Sequence, residues 1–246
     1  MTSLIPNILT CFNLLMGTCA CIFALSQYPI GSLYFLIAAF IFDSIDGFAA
    51  RKLKSVSPIG KELDSLADVI SFGLVPSLVL FEWCVKELPM KFNFLAFIPL
   101  VIVVSSAMRL AKFDIDERQK ENFLGFPTPA NAMLVTSITA YAKNYSTTGP
   151  NAAARVMSIP WVVPVVSVLL ALLLISELPF FSLKFKTLNF NENIVRYVYL
   201  IICAVFTVAA LIVKMAFPLY VFWIFAIYLL LCLGLCFAGC ITHKRA

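Results

Sequence analysis

The sequence predicts an all-α membrane protein, a polytopic helical bundle of about eight transmembrane helices with a six-helix catalytic core. Of 246 residues, 62% are hydrophobic and only 13% charged, where a soluble domain is usually near half apolar and a quarter charged. Apolar runs of roughly 20 residues, the length that crosses a bilayer core, recur along the chain. Between them stand short polar or Pro/Gly-marked breaks.

The helices are expected near 8–26, 31–52, 62–85, 92–113, 128–145, 158–176, 195–215 and 218–240. No basic segment precedes the first run, so it reads as a retained span rather than a signal peptide. Pro58-Ile-Gly60 marks the break between the second and third helices, and the charged stretch from Asp114 to Asn122 follows the fourth. Gly149-Pro150 ends the fifth, and Pro179 through Asn193 separates the sixth from the last two. No internal repeat is evident, which weakens an inverted-repeat transporter reading.

Charge bias orients the bundle. With the N-terminus in the cytoplasm, 13 of the 18 basic residues fall on the cytoplasmic side: Arg51, Lys52, Lys54, Lys61, Arg109, Lys112, Arg118, Lys120, Lys184, Lys186, Arg196, Lys244 and Arg245. Lys86, Lys91, Lys143, Arg155 and Lys214 fall opposite. The positive-inside rule supports that assignment, with both termini cytoplasmic. No basic run has the length or interleaved aromatics of a nucleic-acid-binding surface, so no nucleic-acid partner is expected. The eight cysteines include no Cys-x-x-Cys pair and sit mostly in apolar runs, as small hydrophobes do. The single histidine, His243, lies in the C-terminal tail beside Lys244 and Arg245, so a general base within the membrane must be another residue type.

Against this background four carboxylates stand out. Asp43 and Asp46 are three apart at the end of the second helix, and Asp64 and Asp68 four apart in the third; each pair shares a helical face. Charges inside apolar helices are costly and mark function by default. At about 6 Å and an effective dielectric near 20, each like-charge pair costs roughly 3 kcal/mol. Either some protonate or a divalent cation neutralises them. An all-oxygen donor set favours Mg²⁺ or Mn²⁺ over zinc. The active site then lies near the cytoplasmic face.

Gly47 stands inside a helix, at a cost of about 1 kcal/mol against alanine. Either close helix packing or the approach of a flat ligand explains it. Arg51, one turn on, suits phosphate pairing or interfacial anchoring. Anion, metal and cation together suggest a diphosphate-bearing substrate.

The pattern Asp43-x-x-Asp46-Gly47-x-x-Ala50-Arg51, eight residues, Gly60-x-x-x-Asp64-x-x-x-Asp68 resembles the signature of the CDP-alcohol phosphotransferases at all eight defining positions. Further stretches resemble the membrane-bound phosphatidylserine synthases within that family: Ile5-Pro-Asn7-Ile-Leu-Thr10, Ser71-Phe-Gly73-Leu-Val-Pro76, Arg109-Leu-Ala-Lys112-Phe113, Gly125-Phe-Pro127-Thr-Pro129-Ala, and Leu178 to Lys184. The resemblance spans about positions 4–186. It departs at Lys112, where arginine is expected, and at Asp114, where asparagine is frequent.

The resemblance implies transfer of a phosphatidyl group from CDP-diacylglycerol to L-serine, with release of CMP. It implies metal ligation by Asp43, Asp46, Asp64 and Asp68, with Asp68 also the general base. It implies nucleotide contacts from Asn7, Thr10, Asp43, Gly47, Ala50, Arg51 and Gly60. Arg109 and Lys112, three apart on one face, would meet the serine carboxylate or a lipid phosphate, with Ser71, Ser105 and Ser106 adding hydrogen bonds. Residues 1–186 would form the catalytic bundle, and 187–246 two further helices of the same domain, lipid-facing or packed in an oligomer. A homodimer, surrounding membrane lipids as partners and the cytoplasmic membrane as location belong to the same expectation. Transfer to glycerol 3-phosphate or inositol is the alternative within the enzyme class. A carboxylate-based transporter is the alternative outside it, and it leaves Gly47, Ala50 and Arg51 without a reason.

Overall fold

The computed structural model describes residues 4–53, 57–115, 123–145, 151–181 and 193–237. The expectations for Lys54, Arg118, Lys120, Gly149-Pro150, Lys184, Lys186, Cys240, His243, Lys244 and Arg245 lie outside these residues. Helices α1 (Leu4–Leu25), α2 (Pro29–Lys52) and α3 (Pro58–Asp68) come first. A π-helical turn (Val69–Leu74) joins α3 directly to α4 (Val75–Glu87). A 3₁₀ segment (Met90–Leu100) runs into α5 (Val101–Ile115). Strand β1 (Phe123–Leu124), α6 (Thr128–Asn144), α7 (Ala152–Met157), α8 (Val162–Ile175), β2 (Pro179–Phe180), α9 (Ile194–Ile212) and α10 (Phe217–Phe237) complete the chain.

Among the described residues six spans are long and apolar enough to cross a membrane: α1, α2, Pro58–Glu87, Asn93–Phe113, α9 and most of α10. The fold is therefore the expected all-α polytopic membrane bundle. Two of the eight expected helices fall short of a full span. The α6 helix has 17 residues, about 26 Å, and α8 has 14, about 21 Å. The chain breaks at Ser158–Trp161 ahead of α8, where Pro160 cannot supply a helical N–H. The separate turn α7 was not anticipated. Asn151 caps it by accepting from Ala154 N–H at 2.8 Å, and its amide also donates to the Tyr141 carbonyl at 3.0 Å, closing the end of α6.

The α1 helix buries its small and polar residues (Pro6, Thr10, Asn13, Gly17, Ala20, Ala24) against α2, α3 and α4. It turns Leu4, Ile8, Phe12, Leu15, Ile22 and Leu25 outward. In lipid, association is driven by close packing rather than by hiding apolar surface, so small residues face inward and large ones face the tails. Gly17 makes the approach possible: a Cβ there would lie 2.9 Å from the Ser71 Cα.

Pro58 and Gly60 are helical, contrary to the loop expected there. Ser57 caps α3 through its hydroxyl, which accepts from Gly60 N–H at 3.0 Å, and Pro58 takes the first helical position, where no N–H is needed. The π turn has a local cause as well. Pro76 has no N–H to give the Phe72 carbonyl and its ring would crowd it. The backbone widens instead, and Val75 N–H reaches the Ile70 carbonyl five residues back.

At the centre, α6 buries most of its length against α2, α4 and α10. That explains its modest apolarity: protein rather than lipid surrounds it. Its N-terminus is held by a clasp in which β1 pairs antiparallel with β2, Gly125 N–H donates to the Leu178 carbonyl, and Phe126 N–H donates to the Leu173 carbonyl. The last helix packs on α6 and supplies Ala226, Tyr228 and Cys232 to the core. Lipid-facing or oligomer packing, expected for both final helices, thus does not describe α10. It fits α9, which exposes Val198, Ile201, Val205, Val208 and Leu211.

Gly125 has φ +78°, and a Cβ there would lie 2.3 Å from the Leu174 carbonyl oxygen. Gly125→Ala is expected to destabilise the fold by roughly 2 kcal/mol or more, from left-handed strain plus the clash. Thermal unfolding in detergent checks this; a melting temperature equal to the parent's would contradict the clasp.

Candidate active site

Three helices build the site, each for a reason visible in its own residues. Asp43, Asp46, Gly47, Ala50 and Arg51 occupy the last turns of α2, while Gly60, Asp64 and Asp68 run down α3. The α1 helix contributes a polar stripe of Asn7, Thr10 and Asn13, spaced by three along its buried or half-buried face. A carboxylate oxygen from each of Asp43, Asp64 and Asp68 lies within 4.8 Å of the other two, and all three side chains are half-buried.

Asp46 takes a different position. It is buried, and its Oδ2 accepts from the Thr10 hydroxyl at 2.7 Å, with the Pro6 carbonyl 3.1 Å from the same hydroxyl. It stands beside the three-carboxylate group, within electrostatic reach of Asp68. Asp68 in turn accepts from Asn13 Nδ2 at 3.2 Å on Oδ1. Asn13 is fixed because the buried Ser71 hydroxyl donates to its Oδ1 at 2.8 Å. Ser71, expected to touch acceptor or lipid phosphate, is therefore committed to Asn13 and reaches the carboxylates through it. Sequence reasoning missed Asn13; the signal was the three-residue spacing from Asn7 and Thr10 on an otherwise apolar helix.

Beside the carboxylates is a cleft of about 150 Å³ lined by Pro6, Asn7, Thr10, Asp46, Gly47, Ala50, Ser57, Gly60, Lys61 and Asp64. It gathers most of the residues expected to contact a nucleotide. The two motif glycines differ in what they permit. A Cβ on Gly60 would lie 2.7 Å from Asn7 Oδ1 and 2.9 Å from Ser57 Oγ, so Gly60 is required by the protein itself. A Cβ on Gly47 would meet only Arg51 Nη1, at an ordinary 3.5 Å. Among the described residues no helix presses on Gly47, so of the two explanations for it, packing loses its support. Arg51 is exposed and, like Asp43, does not line the cleft; its guanidinium is folded back along α2 towards Gly47.

The other expected cation site divides. Arg109 is buried, with Nη1 3.5 Å from Thr128 Oγ1 on α6, and lies within electrostatic reach of Asp68. Ser105 and Ser106 are buried on the same helix. Lys112 is exposed, one turn nearer the helix end. Tyr228 of α10, which the sequence did not single out, approaches Arg109 and donates its hydroxyl to the Phe181 carbonyl at 2.9 Å.

Convergent carboxylates suit a hard divalent ion. An octahedral Mg²⁺ or Mn²⁺ with oxygens near 2.1 Å separates its ligands by about 3 to 4.2 Å, within the spacing seen here. Among the described residues no thiol or imidazole joins the group, a donor set that favours hard cations.

A polytopic helical bundle whose first three helices gather carboxylates beside an open cleft defines the class of protein. The family follows from comparison with known sequences: the family model of CDP-alcohol phosphatidyltransferase matches residues 3–173, and the chain belongs to that family. Curated relatives include the CDP-diacylglycerol–serine O-phosphatidyltransferase of Helicobacter pylori, 34% identical over 137 residues, which are 54% of this chain and 55% of the relative. The protein of the same name in Bacillus subtilis is 35% identical over 130 residues, 52% of this chain and 71% of the relative. That of Methanocaldococcus jannaschii is 31% identical over 141 residues, 57% and 63% respectively. The matched stretch thus spans little more than half the length of the first of these relatives.

The contrast between glycines gives a test. Gly47→Ala is expected to raise stability by up to about 1 kcal/mol, the helix-propensity gain. Gly17→Ala, meeting Ser71 backbone, is expected to lower it by about 1–3 kcal/mol. Paired melting curves check both signs; destabilisation by Gly47→Ala would restore the packing explanation.

Proposed function

We propose that the protein transfers the phosphatidyl group of CDP-diacylglycerol to the hydroxyl of L-serine, giving phosphatidylserine and CMP. The observation that carries this reading is the convergence of Asp43, Asp64 and Asp68 beside a cleft with Gly47, Ala50 and Asn7 in its wall. The family match supports the reaction class, and the names of the relatives support serine as acceptor.

In this reading the cytidine lies along Gly47 and Ala50, whose small side chains leave room for a flat ring, with Asn7, Thr10 and Gly60 shaping the cleft. Arg51 faces the nucleotide phosphate. Asp43, Asp64 and Asp68, whose oxygens converge, would hold a cation, with Asp46 beside them as the fourth carboxylate and Asp68 also open to a second ion. Bound Mg²⁺ or Mn²⁺ would neutralise diphosphate charge and stabilise the departing CMP. The serine hydroxyl oxygen forms a bond to the phosphorus that bears diacylglycerol. The bond from that phosphorus to the bridging oxygen breaks, and CMP leaves with the electron pair. Asp68 takes the hydroxyl proton, its orientation held by Asn13. Arg109 offsets the serine carboxylate, while exposed Lys112 suits a lipid phosphate at the membrane surface.

The charge bias supports a cytoplasmic-facing site in the cytoplasmic membrane, with both termini inside. The packing of α10 on α6 supports treating 187–246 as part of one domain with the catalytic bundle of 1–186. Homodimerisation belongs to the reading through family resemblance.

Purified protein with CDP-diacylglycerol and Mg²⁺ or Mn²⁺ is expected to release CMP only when L-serine is added, and EDTA is expected to abolish release. Release with glycerol 3-phosphate or inositol instead would move the acceptor; none with any alcohol would reopen the transporter reading. Asp68→Asn is expected to lower turnover at least 10³-fold while retaining CDP-diacylglycerol binding, and normal turnover would remove Asp68 as base. Asp46→Ala is expected to lose metal-dependent substrate binding, measured by titration with and without Mg²⁺.

A further inference from the structure

Two buried polar side chains near the α5 and α6 ends of the Arg109–Thr128 bridge are not used by the reaction described above. Asn131, on α6, has no exposed surface, and neither its Nδ2 nor its Oδ1 makes a hydrogen bond to protein. Ser106, on α5, is equally buried, and its Oγ also makes none. Buried polar atoms in folded proteins are nearly always paired, and each exception calls for a reason.

The Arg109–Thr128 bridge is the link that relates the two residues. Arg109 Nη1 meets Thr128 Oγ1 at 3.5 Å, joining α5 to α6. Ser106 precedes Arg109 by three residues and Asn131 follows Thr128 by three. The chain enters the clasp from α5 and leaves it into α6, so both residues lie one turn deeper than the bridge, on the sides of the helices that carry it. Ser106 is also tied to the aspartate span: a Cβ on Gly73, in the π turn after Asp68, would lie 3.1 Å from Ser106 Cβ and 3.5 Å from its Oγ.

We propose that Asn131 is a specificity-determining residue, which with Ser106 and Arg109 forms a subsite for the amino-acid end of the acceptor. The inference rests on the phosphatidyl-transfer reading. A zwitterion needs a cation for its carboxylate and neutral oxygens for its ammonium. Arg109 supplies the first; Asn131 Oδ1 and Ser106 Oγ supply the second, and Asn131 Nδ2 adds a donor to the carboxylate. The same set is poor for a phosphorylated alcohol. Among the described residues Arg109 is the buried cation, and one positive charge does not offset a phosphate dianion. An acceptor lacking the ammonium leaves the buried oxygens unpaired, the type of mismatch that separates close analogues most strongly.

The test uses the full chain in detergent or nanodiscs, with CMP release measured against L-serine and against CDP-diacylglycerol separately. Asn131→Ala is expected to raise the KM for serine at least tenfold. The KM for CDP-diacylglycerol is expected to stay within twofold, and the melting temperature without substrate not to fall, because the buried amide has no protein partner to lose. Ser106→Ala is expected to raise the serine KM by a smaller factor, about threefold. An unchanged serine KM in Asn131→Ala, or equal rises for both substrates, overturns the subsite. Failure of both Asn131→Ala and Asn131→Ser to fold also overturns it, by giving the amide a structural role. Calorimetric titration of L-serine separates the two levels. Wild-type protein that binds serine, loses that binding in Asn131→Ala and releases no CMP would keep the subsite and sink the reaction. Wild-type protein that turns serine over, with an unaffected Asn131→Ala, would do the reverse.

Discussion

The structure depends on one electrostatic constraint: carboxylates from two antiparallel helices are brought together inside an apolar bundle, and like charges so placed repel. The α1 helix answers by standing behind them. Thr10 donates to Asp46, and Asn13 donates to Asp68 while Ser71 pins Asn13. Charge-assisted hydrogen bonds of this kind fix direction as well as contribute energy. The rest of the packing follows. The helix can reach those carboxylates only by lying close to α2 and to the π turn, and that closeness sets small residues along its inner face and glycine at position 17.

Much of the site was legible because its signals are local. Asp43 with Asp46 and Asp64 with Asp68 declare their shared faces by spacing alone, and the converging oxygens of Asp43, Asp64 and Asp68 agree with that reading. Glycines were less readable, since sequence cannot say what a missing Cβ makes room for. Gly60 makes room for Asn7 and Ser57, whereas among the described residues only the Arg51 guanidinium lies near Gly47. Asn13, Asn131 and Tyr228 were passed over because single polar residues in apolar runs look alike until a partner on another helix is known. The start of α3 was misplaced by four residues because Pro58 and Gly60 were read as turn formers, when a serine cap places proline at the first helical position.

The family match ends at residue 173, yet the fold does not stop there. The clasp that orients the start of α6 uses β2, and Tyr228 from α10 holds the residue after it through the Phe181 carbonyl. Thr128, and with it the Arg109 contact, depends on chain lying beyond the matched stretch. A helix without charged residues, which the sequence leaves featureless, thereby helps position a cation more than a hundred residues earlier.

The π turn between α3 and α4 acts as a phase shifter. It holds one more residue per turn than an α-helix would, so the residues before and after it are offset by about 100° relative to a straight rod. Asp64 lines the cleft and Asp68 joins its carboxylate group at one end of this span, while Trp83 at the other faces the packed core and donates to the Met157 carbonyl. A regular helix would lock those two faces to a single angular relation. With the wide turn between them, the chemical half and the anchoring half of one membrane span each keep their own azimuth, and the acidic end can be aimed without rotating the half that seats it.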